Sequence, residues 1–268
     1  MTPLEDNFAD ILGKALRGRG LSAAAAAQSA GLTEAAMDRL LGGEFDEPAA
    51  RSLAAVFQLN GDALVRLAQG GYRPQVECPL AMVQATTDYG TMTVNAYLLW
   101  DEENRDAAIF DTGADAAPLL QAVASLDLNV VAVFLTHSHA DHIHALAVLK
   151  RELGVEAWSS ALEPVRGTKT FRPGDLFNTG RHFIRTRLTP GHTPGGTTYV
   201  IEGPVLQAAM VGDAIFAGSI GTVRDDYPGA LLNIRREILG LSDQTLLCPG
   251  HGPLTTVGQE KAHNPFFA

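Results

Sequence analysis

Basic residues, cysteine and long apolar runs are all scarce in this chain, and each scarcity removes a class of function. Lys and Arg number 20 against 30 Asp and Glu, a formal net charge of -10. Duplex affinity comes largely from Lys and Arg on phosphates, so this balance argues against nucleic acid as the main partner and for a small molecule. An anionic substrate stays open, because a local pocket on an acidic protein can be positive. The only cysteines, Cys78 and Cys248, cannot build a disulfide framework, and neither belongs to a C-x-x-C pair. No window approaches the roughly 18 apolar residues of a membrane span, so no membrane association is expected. The opening residues lack the basic start and apolar run of a signal peptide, and the expected compartment is the cytoplasm. There is no G-x-S-x-G elbow to supply a serine nucleophile.

What is present is ample for a core: 268 residues, 46% of them hydrophobic. Two textures divide the chain near residue 75. Residues 1–74 are expected to form a small all-helical domain, with apolar residues at helical spacing: Phe8, Ile11, Leu12 and Leu16, then Met37, Leu40 and Leu41, then Leu53, Val56 and Phe57. Gly31, Gly42-Gly43 and Asn60-Gly61 punctuate these helices, Ser22 and Thr33 stand at N-cap positions, and Pro48 suits a first turn. Residues 75–268 form the second expected domain. Its apolar runs at 92–100, 107–110 and 130–135 read as strands, and helices are expected over about 118–126, 142–153 and 229–239. Such mixing predicts an α/β sandwich with sheets inside and helices outside.

The chemistry concentrates at Thr136-His137-Ser138-His139-Ala140-Asp141-His142. In extended chain His137 and His139 project to the same side, and Asp141 and His142 follow at a helix start. Four ligand-type side chains within six residues can grip a pair of first-row metal ions. Three glycine-flanked turns downstream each add one more: His192 in T-P-G-H-T-P-G-G, Asp213 in M-V-G-D-A-I-F and His251 in C-P-G-H-G-P. His144 lies about 200 degrees round a helix from His142 and is expected to point away. Two metals lower the pKa of a shared water towards neutrality and polarise a carbonyl, so hydrolysis by metal-activated water is the expected chemistry.

With T-H-S-H-A-D-H, P-G-H-T-P-G-G, G-D-A-I-F-A-G-S-I-G, P-G-H-G-P and E-K-A-H-N-P-F, residues 78–268 resemble the metallo-β-lactamase-fold hydrolases, in particular the glyoxalase II-like (hydroxyacylglutathione hydrolase-like) branch. The resemblance implies an αββα sandwich. It also implies that His137, His139 and His192 hold one metal, that Asp141, His142 and His251 hold the second, and that Asp213 bridges them. Asp111 matches a position that supports the ligand loop from behind. The implied cofactor is two divalent ions, zinc foremost, with iron or manganese also suited to such a site. Many relatives carry glycine where this chain has His144 or Ala145. Relatives that bind glutathione often add a basic C-terminal helical domain, whereas here Lys261, Arg224, Arg235 and Arg236 are the only cations near the end. The resemblance implies a metal-bridging hydroxide, oriented by Asp141 and Asp213, that attacks a thioester or ester, with a lactone as the alternative and glutathione as part of the substrate left open. A single-iron persulfide dioxygenase shares the fold but would leave His142 and His251 without a role.

The N-terminal helices are similar to a lambda-repressor-type helix-turn-helix domain, whose base-reading helix would fall at about 33–41. Glu34, Ala35, Ala36, Met37 and Asp38 offer little to bases or phosphates, and residues 1–74 carry seven Lys and Arg against nine Asp and Glu. A DNA-binding regulator with a metal-containing sensor is thus the disfavoured reading. An interaction module, forming a homodimer or roofing the active site, is preferred.

Overall fold

Capping residues start each of the five helices that open the chain. In the computed structural model, which describes residues 2–203 and 206–268, these are α1 (Phe8–Gly18), α2 (Ala23–Ala30), α3 (Glu34–Leu41), α4 (Glu47–Phe57) and α5 (Gly61–Ala68). Ser22 and Thr33 accept from the backbone N–H groups of Ala25 and Ala36, satisfying donors that the helix leaves free, and Pro48 occupies the first turn of α4. The apolar stripe predicted for these helices is the buried one, with Ile11, Leu12, Met37, Leu40, Leu53 and Phe57 at its centre.

Two six-stranded sheets follow. The first runs β1 (Met82–Tyr89), β2 (Met92–Trp100), β3 (Asp106–Phe110), β4 (Asn129–Phe134), β5 (Glu156–Ser160) and β6 (Lys169–Phe171), in chain order, with β3 to β6 parallel. The second contains β7 (Leu176–Thr179), β8 (His182–Leu188), β9 (Thr197–Glu202), β10 (Gln207–Gly212), β11 (Leu246–Pro249) and β12 (Thr255–Thr256). Between the sheets lies an apolar layer that includes Tyr97, Phe110, Phe134, Ile184, Tyr199 and Met210. Outside the first sheet, α6 (Ala117–Ser125) and α8 (Leu146–Leu153) bury Leu119, Val123 and Leu149 against Ile109 and Val133. Outside the second lies α9 (Tyr227–Glu237), and α10 (Val257–His263) nears the end of the chain. The result is the expected αββα sandwich.

The N-terminal helices do not stand apart from this sandwich. Ile11, Leu12 and Phe57 belong to one continuous apolar cluster with Val211, Ile215, Tyr227, Ile234 and Phe266. They therefore cover the outer face of the second sheet together with α9.

The single helix expected over 142–153 is two helices, α7 (Ala140–Ile143) and α8, with a break at His144 and Ala145. The Ala145 N–H points at Thr112 Oγ1 (3.1 Å) and the Gly113 carbonyl (3.3 Å) instead of closing a helical bond back to Asp141. That diversion ties the helix start to the turn after β3. The sequence pattern also marks no strand over Met82–Tyr89, where burial alternates only imperfectly, and no helix over Val257–His263. Among the described residues, no helix is long and apolar enough to cross a membrane.

Candidate metal centre

Strand ends deliver every ligand-type side chain to one place. His137 and His139 follow β4, His192 follows β8, Asp213 follows β10 and His251 follows β11, while Asp141 and His142 sit on α7. His137, His139, His192 and Asp213 present ligand atoms that all lie within 4.8 Å of one another, and Asp141, His142 and His251 form a second such group. Asp213 stands between them. Its Oδ2 is 3.3 Å from His192 Nε2 and 3.4 Å from His251 Nε2, and its Oδ1 is 3.3 Å from His142 Nε2. Asp141 Oδ2 lies 3.4 Å from His251 Nε2 and 3.5 Å from His142 Nε2. Glycine is required beside this carboxylate: a Cβ on Gly250 would fall 2.2 Å from Asp213 Oδ1 and 2.5 Å from His142 Cε1.

The outward ring nitrogens are already occupied. His142 Nδ1 meets Asp111 Oδ2 at 2.8 Å, His192 Nδ1 the Thr222 carbonyl at 3.1 Å, His251 Nδ1 the Thr93 carbonyl at 2.6 Å, and His137 Nδ1 the Thr136 hydroxyl at 2.9 Å. Such partners orient each ring and leave Nε2 facing inward. His139 instead turns Nδ1 inward, 2.9 Å from His192 Nε2. His137 Nε2 is buried without any hydrogen-bond partner. An orphaned imidazole nitrogen among carboxylates is what a metal ion would satisfy, so the residues fit the group.

Electrostatics agree with that fit. Burial presses against charge throughout, yet Asp213 and Asp111 push His142 up to about 10, and Asp141 and Asp213 push His251 up to about 11. Burial also disfavours an ionised Asp213, but His142 and His251 hold its carboxyl well below the usual range. His137, buried and beside His142, is held well below the ordinary imidazole value. The carboxylates thus favour positive charge on the facing rings, which is the charge a bound cation would supply.

Asp111 also comes within reach of His137 and His142. Its carboxylate is consumed by the Thr136 N–H (2.7 Å), the Thr136 hydroxyl (2.8 Å) and His142, in a left-handed backbone conformation with φ 56°. It is thus a support behind the loop. His144 is exposed and packs edge-on against Tyr89 at 5.5 Å, away from the cluster. Sequence reasoning missed Glu163, which bonds Ser138 and Gly195, because nothing in the pattern of the loop after β5 marks it.

A cleft of about 560 Å³ opens beside His139 and His192, walled by Glu163, Pro194, Arg224 and Asn233. A larger cavity of about 660 Å³ between the 2–8 segment and Pro253 has none of the seven ligand-type residues in its wall, so the smaller cleft is the one that serves the cluster. Of the four late cations, Arg224 lines that cleft. Lys261 pairs with Asp243, Arg236 with Glu237, and Arg235 caps the carbonyls of Phe266 and Phe267.

Two sheets, flanking helices and a His/Asp cluster at the strand ends define an αββα sandwich with a candidate metal site at one edge. The chain belongs to the Metallo-beta-lactamase superfamily, which residues 89–251 match. Among similar proteins, hydroxyacylglutathione hydrolase GloC of Haemophilus influenzae is 36% identical over 199 residues, 65% of this chain and 92% of that protein. Human mitochondrial persulfide dioxygenase ETHE1 is 31% identical over 180 residues, 63% of this chain and 69% of that protein. The crystal structure of BLEG-1 B3 metallo-beta-lactamase aligns with a TM-score of 0.57 and 30% identity, covering 69% of this chain and 100% of that one.

Proposed function

We propose that this protein is a dinuclear metal-dependent hydrolase of a thioester or ester, glyoxalase II-like in its chemistry. The observation that carries the reading is the convergence of seven ligand-type side chains into two groups about Asp213, with the outward ring nitrogens of His137, His142, His192 and His251 already engaged. His137, His139 and His192 would hold one ion, Asp141, His142 and His251 the other, and Asp213 would bridge them. Two such ions supply hydroxide near neutral pH and polarise the carbonyl under attack. Asp141 and Asp213 orient the attacking water, and the cleft beside His139 and His192 receives the acyl compound. Arg224 in its wall offers a contact for an anionic substituent. The likeness to hydroxyacylglutathione hydrolase GloC supports a thioester; a lactone would meet the same arrangement.

Likeness to a persulfide dioxygenase favours a second reading, oxidation at a single metal. Against it stands the second group, Asp141, His142 and His251, which that reaction would leave idle. The N-terminal helices are read as an interaction module that also roofs the centre: Lys14 on α1 donates to the Ile220 carbonyl (2.7 Å) and lies over the Phe216 ring, whose edge meets His251.

The test is metal content together with turnover of a panel holding S-lactoylglutathione, other acyl thioesters and lactones, plus oxygen uptake with a persulfide. Two ions per chain, hydrolysis, and loss of both in Asp213→Ala are expected. Fewer than two ions per chain, or full activity in Asp213→Ala, would remove the reading.

A further inference from the structure

Glu163 lies between β5 and β6, in a loop that carries no ligand, yet its carboxylate joins two loops that do. Oε1 accepts from the Ser138 N–H at 2.7 Å and from the Ser138 hydroxyl at 2.5 Å, and Oε2 accepts from the Gly195 N–H at 3.0 Å. Ser138 stands between His137 and His139, and Gly195 is three residues beyond His192. One side chain therefore spans the segments bearing all three histidines of the first group. The approach is close enough to dictate sequence, because a Cβ on Gly195 would fall 2.3 Å from Glu163 Cβ and 2.8 Å from its backbone nitrogen.

The same two loops are joined at their strand ends by the Thr197 N–H on the Thr136 carbonyl, at 2.9 Å. Glu163 supplies the tie at the opposite end, on the cleft side, where His139 and His192 are only partly buried. Both of its oxygens are committed to donors, so it acts through the residues it holds. Asp111 makes its bonds behind the ligand loop instead, to His142 of the second group and to Thr136, whose hydroxyl meets His137 Nδ1 of the first.

We infer that Glu163 is a positioning residue for the first metal, fixing His137, His139 and His192 at the spacing one ion requires. This rests on the dinuclear reading above.

Zinc titrated into metal-stripped protein, in competition with a chromophoric chelator, tests it. Wild type should give two binding constants. Glu163→Ala should weaken one by about 10- to 100-fold and leave the other within about threefold, the scale on which orienting partners act. Glu163→Gln keeps one acceptor for Ser138 but turns an amide N–H towards Gly195, so a smaller loss at the same constant is expected; it also serves should the alanine variant fold poorly. Asp111→Asn, which loosens both His142 and the Thr136 that holds His137, should weaken both constants. Thermal unfolding of the metal-free variants should match metal-free wild type, which separates positioning from general destabilisation. Unchanged constants in both Glu163 variants, or equal weakening of both constants, overturns this inference alone. A wild-type chain that takes up fewer than two ions overturns the dinuclear reading and this inference together.

Discussion

Tyr72 donates a 2.6 Å hydrogen bond to Glu260, joining the stretch after the last N-terminal helix to the C-terminal helix α10. Glu260 is fully buried and also accepts from Thr255 Oγ1 (2.7 Å), the Gly218 N–H (2.9 Å) and Asn264 Nδ2 (2.8 Å). Every donor comes from a different segment, so this carboxylate locks the N-terminal helices, the loop after Asp213 and the chain end to one another.

Tyr72→Phe removes one of these four donors and should cost about 1–3 kcal/mol, the range for losing a partner of a buried polar group. Glu260→Leu strands all four and should cost more. Urea unfolding checks both, and an unchanged midpoint in Tyr72→Phe would show that the contact contributes nothing. Since neither residue belongs to the metal cluster, Tyr72→Phe should retain wild-type metal content.

Asp111 presents acceptors only, and all three of its contacts use them. Asp111→Asn must turn an amide N–H towards one of the Thr136 or His142 donors. Metal affinity should fall about 10- to 100-fold, as for other residues that orient ligands. Competition titration reads this directly, and an affinity equal to wild type would mean that Asp111 does not hold His142.

His144→Ala should leave metal content and turnover unchanged and shift stability by less than about 0.5 kcal/mol, because the ring is exposed and touches Tyr89 at its edge. Loss of an ion in this variant would assign His144 a role the geometry denies it.

The candidate ligands could be picked out because they sit in short motifs at the ends of apolar strands, where the recurrence of glycine-flanked turns drew in His192, Asp213 and His251 together. The helical stripe at Ile11, Leu12, Leu53 and Phe57 was legible for a similar reason, since periodicity reports burial. What local pattern could not carry was long-range partnership. The break at His144 and Ala145 arises from the turn at Thr112, and the roles of Glu163 and Glu260 depend on donors as far as 32 and 188 residues away. The packing of the N-terminal helices on α9 is of the same kind, because an apolar face announces burial without naming what covers it.

The outward face of α3 offers Glu34, Ala35, Asp38 and Arg39 to solvent, which is a poor surface for phosphate or base edges. The protein should therefore fail to retard duplex DNA even at low salt, where electrostatic binding is strongest. Tight binding in a mobility-shift assay would shift the emphasis from catalysis to regulation.

Asp101, buried at the end of β2, accepts from Arg181 through its backbone N–H (2.8 Å) and through Nη2 (2.7 Å), pinning β2 to the β7–β8 turn. The Arg181 guanidinium holds the Asp101 carboxyl far below the usual carboxylate range, against the effect of burial. A carboxyl depressed in the folded state binds fewer protons there than in the unfolded chain. Its contribution is therefore complete above the unfolded value of about 4, and is lost as pH falls from there through the lower folded value. Asp101→Asn lacks this titration. The stability difference between wild type and Asp101→Asn should be constant from pH 7 down to about 5 and should shrink below about 4. Half-exposure of Arg181 lets salt screen part of the attraction, so the shrinkage should be smaller in high salt. Urea unfolding of both proteins across that range provides the check, and a difference that stays constant into acid would mean that the ion pair adds nothing to the fold.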